Sequence, residues 1–345
     1  MEIRVRNIND AFLRLKEEVG NNPSVWFEIA PRGIPTLEYY EPVLTHYTLP
    51  QERVLFDPVR DANPFFHFFE ALWILDGRED VGFLERFNSN IASFSDNGTT
   101  FHAAYGHRIR CGVHVAHEEE SHDQLKDVIH TLSQDHDTRQ AVLQIWDHRA
   151  DLCVKSKDIP CNDLIFFKIR GGQLHMRVLC RSNDMVWGGY GANVVQFSTL
   201  MEFIARAVDV EVGTYTQYSD SFHVYSQRDD WKKIIASKEV HPDPYRRGIA
   251  KPYNMFEGVK SEDWLEWLDE LHFFLENPMR PNIVTPYFTQ VARPMWRAWN
   301  IWKDDSRKRH ERIEAARYVL HHECMAHDWA LAGTQWLGRR IEGAK

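Results

Sequence analysis

The chain has 345 residues, 43% hydrophobic and 13% aromatic, which suits one large domain or a domain with a sizeable extension and excludes a disordered polypeptide. Its formal charge of −9 provides no general basic field for nucleic acid, so a small anionic ligand needs a local cluster of arginines. Five cysteines, odd in number and irregular in spacing, argue against a disulfide framework and for a reducing, cytoplasmic setting; the N-terminus lacks a signal-peptide core, and no apolar run reaches the length of a membrane span.

In chain order, residues 7–20 read as an amphipathic helix, with Ile8, Phe12, Leu13 and Leu15 near helical spacing and Gly20-Asn21-Asn22-Pro23 ending it. Residues 24–57 mix aromatic and β-branched residues with prolines, as short strands and turns do. Pro64–Leu75 reads as a mostly buried helix with one acid, Glu70, inside the apolar run. A helix over 124–134 precedes strands at Gln140–Trp146 and Leu164–Arg170. Gly171-Gly172 then turns a hairpin into Leu174–Cys180, where apolar and polar residues alternate. Val194–Val208 is predicted helical and Thr214–Tyr225 a strand. The class is therefore α+β, with helices packed on a mixed, largely antiparallel sheet. From Trp231 the composition shifts to Trp, Lys, Glu and His, with a proline-rich loop at Pro242–Asn254 and helical periodicity at Asp263–Glu276 and Arg307–Trp336. The expected division is a catalytic core at 1–230 and a helical C-terminal extension at 231–345.

Cys161 follows a proline at the mouth of a strand, and Arg181-Ser182-Asn183-Asp184 ends the hairpin strand after it. A lone cysteine is more often buried and inert. A cation beside a thiol, however, favours the nucleophilic thiolate, and that is the expected effect of Arg181 on Cys161. A carboxylate inside so apolar a helix as that of Glu70 is costly unless it is paired or functional.

Pro160-Cys161, the hairpin Phe166–Cys180, Arg181-Ser182-x-Asp184, Gly188, Asn193 and His223-x-Tyr225 resemble, in order and spacing, the thymidylate synthase family, which includes phage deoxycytidylate hydroxymethylases. Upstream, Glu70-x-x-Trp73-x-x-x-Gly77 resembles the family's Glu-x-x-Trp-x-x-x-Gly helix, Ala104-Tyr105-Gly106-x-Arg108 its Tyr-Gly loop, and Asp137-Thr138-Arg139 its Asp-Ser-Arg. The resemblance spans about Arg32 to Tyr225. It implies a thymidylate-synthase-like fold and one-carbon transfer from 5,10-methylenetetrahydrofolate to C5 of a pyrimidine nucleoside monophosphate. Cys161 would add to C6, with Glu70, Arg181 and Tyr105 also in the catalytic set. Glu70 would hold water and shuttle protons, and with Asp184 would meet the folate. Arg32, Arg139, Arg181 and Ser182 would hold phosphate, since guanidinium forks suit it. Asn193 would read the pyrimidine edge, and His223 and Tyr225 would bind the sugar 3′-hydroxyl. Arg139 would reach across a homodimer into the neighbouring site.

Departures from the family pattern bear on the product. Asn162 follows the cysteine where synthases have His, Gln140 replaces a second arginine, and Cys180 stands where synthases have Gln. The loop Gly188–Asn193 is one residue longer than the family's. Asn90–Asp96 lacks the tryptophans that shield the exocyclic methylene intermediate from water, and Arg340–Lys345 lacks the apolar tail that closes the synthase site. Hydroxymethylation is therefore expected, with methylation of dUMP to dTMP as the alternative within the family. A non-catalytic nucleotide- or RNA-binding regulator is the alternative of another class. Asn193 points to uracil, the lost histidine and remodelled loop to cytosine, and both bases stay open; Ser182 favours a deoxyribose.

The run His321-His322-Glu323-Cys324-x-x-His327 places Cys324 and His327 three apart, where they could share a helical face, but no CxxC pair accompanies them and no metal is expected. His102, His107, His114 and His117 fit no metal spacing. Trp296, Trp299 and Trp302 are expected to serve packing or an interface, or to cover the site in place of the missing tail.

Overall fold

A computed structural model describes residues 1–21, 26–112, 122–237 and 239–342. The first half comprises β1 (Glu2–Val5), α1 (Ile8–Asn21), β2 (Trp26–Ile29), β3 (Thr36–Tyr39), β4 (Val43–Tyr47), α2 (Pro64–Leu75), α3 (Val81–Glu85), α4 (Tyr105–Cys111), α5 (Gln124–Gln134), β5 (Val142–Gln144) and α6 (His148–Asp151). The second comprises β6 (Asn162–Arg170), β7 (Gln173–Asp184), α7 (Asn193–Ala207), β8 (Glu211–Tyr225), α8 (Asp229–Ala236), α9 (Trp264–Glu276), α10 (Arg293–Lys303), α11 (Arg309–Glu323) and α12 (His327–Glu342). His114, His117 and the C-terminal residues 343–345 lie outside the described residues.

The strands form one mixed sheet in the order β1-β4-β8-β7-β6-β5, with the β2–β3 hairpin also joined to β8. β1–β4 and β7–β8 are parallel and the other pairings antiparallel, as the α+β reading expects. Alternation sorts each strand's side chains between two faces. On β7, Leu174, Met176, Val178 and Cys180 are buried, whereas His175 and Leu179 are half-buried and Arg177 is exposed. The buried face carries α7, and α2 lies against α7.

Helix α2 starts where Asn63 accepts the backbone N–H groups of Phe65 and Phe66 and Pro64 fills the first turn. It is buried nearly all round because helices of the last third cover its outer side. Phe65 packs on Trp299 and Trp336, Phe68 on Tyr287 and Trp329, and Phe69 on Trp296. The late tryptophans thus serve packing. Gly106 lets α4 rest directly on α2, since a Cβ there would sit 2.2 Å from the Ile74 carbonyl oxygen.

Several sequence boundaries change, among them β6, which begins at Asn162, and β8, which begins at Glu211. The strand expected over Gln140–Trp146 shrinks to Val142–Gln144, because the N–H groups of Ile145 and Trp146 both turn to the Asp163 carbonyl at an irregularity in β6. Strand β7 continues through Asp184, beyond the expected Cys180. The helix expected over Arg307–Trp336 is two, because Cys324 turns extended and the Met325 N–H donates across to Gln290 O at 2.9 Å. That break removes the shared helical face expected for Cys324 and His327: Cys324 is buried, while His321, His322 and His327 are exposed.

Arg53 and Glu202 form an ion pair inside the core, with Arg53 also donating to Thr199 Oγ1 at 2.9 Å and Glu202 accepting from the Met255 N–H. A buried charge stripped of its partner is costly, whereas an apolar replacement of both partners is often tolerated. Glu202→Leu is therefore expected to destabilise the fold by about 3–5 kcal/mol, read as a lowered urea midpoint. Adding Arg53→Met should restore most of the loss.

Candidate active site

The register of three strands builds the site. Asn162 of β6 faces Cys180 of β7, and the Arg181 N–H donates to Cys161 O at 3.0 Å. On the other side of β7, Ser182 faces Ser221, Asn183 faces Phe222 and Asp184 faces His223 of β8. Glu38 and Thr36 of β3 pair with His223 and Tyr225. One end of the sheet therefore gathers Cys161, Arg181, Ser182, Asp184, His223 and Tyr225, drawn from sequence positions more than sixty apart.

Arg181 is fixed from below. Its Nε donates to Pro160 O at 2.7 Å and its Nη2 to Ile159 O at 3.2 Å, and its guanidinium lies 5.2 Å from the centre of the Trp146 ring. The arginine therefore braces the backbone immediately before Cys161. It also lines an open groove of about 590 Å³ with Arg32, Asp96, Trp146, Val154, Lys155, Ser156, Lys157 and Ile159. Arg32 sits in a short 3-10 turn, exposed, with φ 53° and ψ 25°, a left-handed conformation uncommon for a residue other than glycine. The groove assembles four cations, Arg32, Arg181, Lys155 and Lys157, against one acid. That composition suits a phosphate. Sequence reasoning did not single out Lys155, Ser156 or Trp146, whose signal was only their closeness to Cys161 along the chain.

Arg181 and Arg32 both draw the Cys161 thiol downward, as expected for Arg181. Burial outweighs them, and Asp158 and Asp163 add to it, so the thiol is held above its ordinary range. The expected net preference for thiolate is thus corrected by desolvation. Sγ itself makes only a 3.9 Å contact with Ile159 O.

Buried polar side chains lie on α2, α7 and β6. Burial pushes Glu70 up to about 7, offset in part by a hydrogen bond from Gln196. Glu70 Oε2, Gln196 Oε1 and Asn162 Nδ2 are buried without hydrogen-bond partners. Buried polar atoms left open in this way are expected where a ligand or water completes the bonding. Asn162 Oδ1 accepts from Cys180 Sγ at 2.7 Å, and Tyr105 lies near Asn162. Burial first, then the nearby Cys161 and Asp158, hold the Tyr105 hydroxyl protonated well above the usual phenol range. Two of the residues that depart from the family pattern, Asn162 and Cys180, are thus partners. Gln196 carried no sequence signal beyond its place in a helix.

Asp184 accepts from the N–H groups of Val186 and Trp187, both at 2.8 Å, and so caps the π-helical segment Met185–Ala192. In that segment the Asn193 N–H reaches back five residues to Gly188 O. A π-turn absorbs one extra residue, which accounts for the longer loop. Asn193 consequently stays buried and donates to Asn183 Oδ1 at 3.3 Å. His223 is buried with Nδ1 3.2 Å from Ser221 Oγ, and its ring meets that of Tyr225 at 5.4 Å. Arg139 is exposed in the connection between α5 and β5 and does not line the groove. Segment Asn90–Asp96 forms a 3-10 turn at Ile91–Phe94, held to the groove wall where Ser156 Oγ and the Lys157 N–H donate to Asp96.

Since Arg181 opposes the rise in the Cys161 thiol, Arg181→Ala is expected to slow iodoacetamide labelling of Cys161 on the order of tenfold at pH 8. Peptide mass spectrometry separates this labelling from that of the exposed Cys153.

Residues 60–264 match the sequence profile of the family described as Thymidylate synthase. The chain is 40% identical over 353 aligned residues to a deoxyuridylate hydroxymethyltransferase of Pseudomonas phage M6, covering 98% of this chain and 94% of that protein. It is 45% identical to a deoxyuridylate hydroxymethyltransferase of Bacillus phage SP01 over 57% of this chain and 52% of that protein. A third protein of that name, from Delftia phage PhiW-14, is 31% identical over 56% of this chain and 55% of that protein. With the fold, the Cys161–Arg181 pair and the family match in agreement, the chain belongs to the thymidylate synthase family.

Proposed function

We propose that this chain hydroxymethylates C5 of 2′-deoxyuridine 5′-monophosphate. The carrying observation is that Arg181, which braces the backbone just before Cys161, lines a cationic groove, while the buried Glu70 carboxylate keeps one oxygen, Oε2, without a hydrogen-bond partner. Similarity over nearly the whole chain to a deoxyuridylate hydroxymethyltransferase supports the product and the base, and so does the tryptophan-free turn at Asn90–Asp96. Methylenetetrahydrofolate supplies, when bound, a carbon at the oxidation level of formaldehyde. Glu70 and Asp184 are the residues that would meet it. The open polar atoms of Glu70, Gln196 and Asn162 fit a site completed by ring heteroatoms and water.

In this reading Arg181, Arg32 and Ser182 hold the phosphate, and His223 and Tyr225 the 3′-hydroxyl. The Cys161 thiolate forms a bond to C6, which places the displaced π electrons at C5. After the carbon is attached at C5, loss of the C5 proton and breakage of the carbon–nitrogen bond would release tetrahydrofolate and leave an exocyclic methylene; water would then add to that methylene, with Glu70 taking the proton of the water. The S–C6 bond then breaks as the C5–C6 double bond returns. Tyr105, held protonated, and Asn162 supply hydrogen bonds beside the cysteine.

The homodimer belongs to the same proposal. The sheet carries Leu164, Phe166, Leu179 and Val142 half-buried or exposed. A second copy packed on them would bring its exposed Arg139 to the groove. We also infer that residues 231–345 act as a helical extension on a 1–230 core. A cytoplasmic setting is supported by five free cysteines, and among the described residues no helix is long and apolar enough to cross a membrane.

Incubating dUMP with methylenetetrahydrofolate should yield 5-hydroxymethyl-dUMP and tetrahydrofolate by mass spectrometry, and none with Cys161→Ala; a methylated base with dihydrofolate would overturn the product. Because burial raises Glu70 to about 7, its free base form is lost as pH falls through that value. The turnover rate should fall with it, and Glu70→Gln should lower kcat about 10²–10⁴-fold and flatten that limb. Mixing Arg139→Ala and Cys161→Ala proteins should restore about one quarter of full activity through hybrid dimers, each with one intact site.

A further inference from the structure

We infer that Asn183, acting through a buried chain of amides and a hydroxyl, fixes the orientation of the Asn193 amide and thereby sets uracil over cytosine. This rests on the reading of Asn193 as the residue that meets the pyrimidine edge.

A primary amide is two-faced. Its oxygen accepts and its nitrogen donates, so an asparagine free to turn over serves either base. Uracil presents N3–H and O4 and needs the oxygen opposite N3 and the nitrogen opposite O4. Cytosine presents N3 and N4–H₂ and needs the reverse. Selectivity therefore requires that something else hold the amide one way round.

The structure contains such a hold. Asn193 Nδ2 donates to Asn183 Oδ1 at 3.3 Å, and Asn183 Nδ2 donates to Ser219 Oγ at 2.9 Å. Ser219 Oγ also lies 3.5 Å from Gln217 Nε2, which points at Gly189 O at 3.4 Å. The Tyr215 hydroxyl donates to Gln217 Oε1 at 2.8 Å. The far end fixes the Gln217 amide. The Gly189 carbonyl only accepts, so Gln217 must turn its nitrogen there. Asn183 turns its nitrogen to Ser219 Oγ, which leaves Asn183 Oδ1 facing Asn193. With one Asn193 N–H committed to Asn183, the second N–H and Oδ1 remain for the base, in the arrangement that suits O4 and N3–H.

The chain is built to be stiff. Asn183 is 2% exposed, Asn193 7%, Ser219 1% and Gln217 0%. Turning the Asn193 amide over would set its oxygen against the Asn183 oxygen inside a buried layer. Glycines close the space around it. A Cβ at Gly188 would sit 3.0 Å from Asn183 Oδ1 and 3.3 Å from Asn193 Nδ2, and one at Gly189 would sit 3.2 Å from Asn183 Oδ1. Asn183 is a positioning residue here, because it touches Asn193 and not the base.

The test compares equilibrium binding of dUMP and dCMP by calorimetry, with kcat/KM for both alongside, in the full-length protein. Wild type should prefer dUMP. Asn183→Leu, of similar size but without an acceptor, should narrow the dUMP-to-dCMP ratio on the order of tenfold or more, mainly through binding and KM. Ser219→Ala gives a second reading if the leucine variant fails to fold, since it frees Asn183 to turn. A wild type without preference, or a ratio unchanged in a folded variant, would overturn the inference. A ratio that collapses in the variants while wild type gives no hydroxymethyl product would uphold the amide chain and reject the proposed reaction instead.

Discussion

Everything at this site depends on the last few pairs of β7. That strand is bonded to β6 on one edge and to β8 on the other, and its final residues are the ones that carry chemistry. Pairing with β6 sets Arg181 beside Cys161; pairing with β8 sets Asp184 opposite His223. Side chains alternate along a strand, so a slip of one residue would exchange Arg181 and Ser182 with the buried Cys180 and Asn183. The buried face of β7 fixes that register, because Leu174, Met176 and Val178 have no other place to go.

Desolvation governs the reactivity built on this frame. The same burial that raises Glu70 into the neutral range also raises Cys161, against the pull of two arginines. These effects are useful in different ways. A carboxylate near neutrality can both take and return a proton, whereas a thiol held protonated is protected until its surroundings change. The buried atoms of Glu70, Gln196 and Asn162 that lack partners belong to the same economy: a surface finished inside the protein would have nothing left to offer a substrate.

Much of this was legible in the sequence, for identifiable reasons. Alternation gave the hairpin around Gly171-Gly172, and apolar continuity with a single acid gave α2 and Glu70. Cys161, Arg181, Ser182, Asp184 and His223 were found because short motifs keep their order. Residues with no local pattern were missed. Gln196 is one polar position on an apolar helix, Lys155 and Ser156 sit in a loop, and the Asn162–Cys180 contact exists only across two strands. The single helix expected over Arg307–Trp336 failed because its break is made by a hydrogen bond to Gln290, thirty-five residues before Met325 in the chain. The extra residue before Asn193 was visible as a count, but its accommodation as a π-turn is a matter of backbone bonding that composition does not encode.

Helix α2 offers its aromatic side to residues that come far later in the chain. Phe65, Phe68 and Phe69 meet Trp296, Trp299, Trp329 and Trp336, so the helix that carries Glu70 is finished only once α10 and α12 have been made. During synthesis the emerging chain must keep that aromatic ridge from sticking to other chains until these later helices arrive. The timing of translation thus becomes a condition for solubility, and a ribosome that stalls late would release the most adhesive form of this protein.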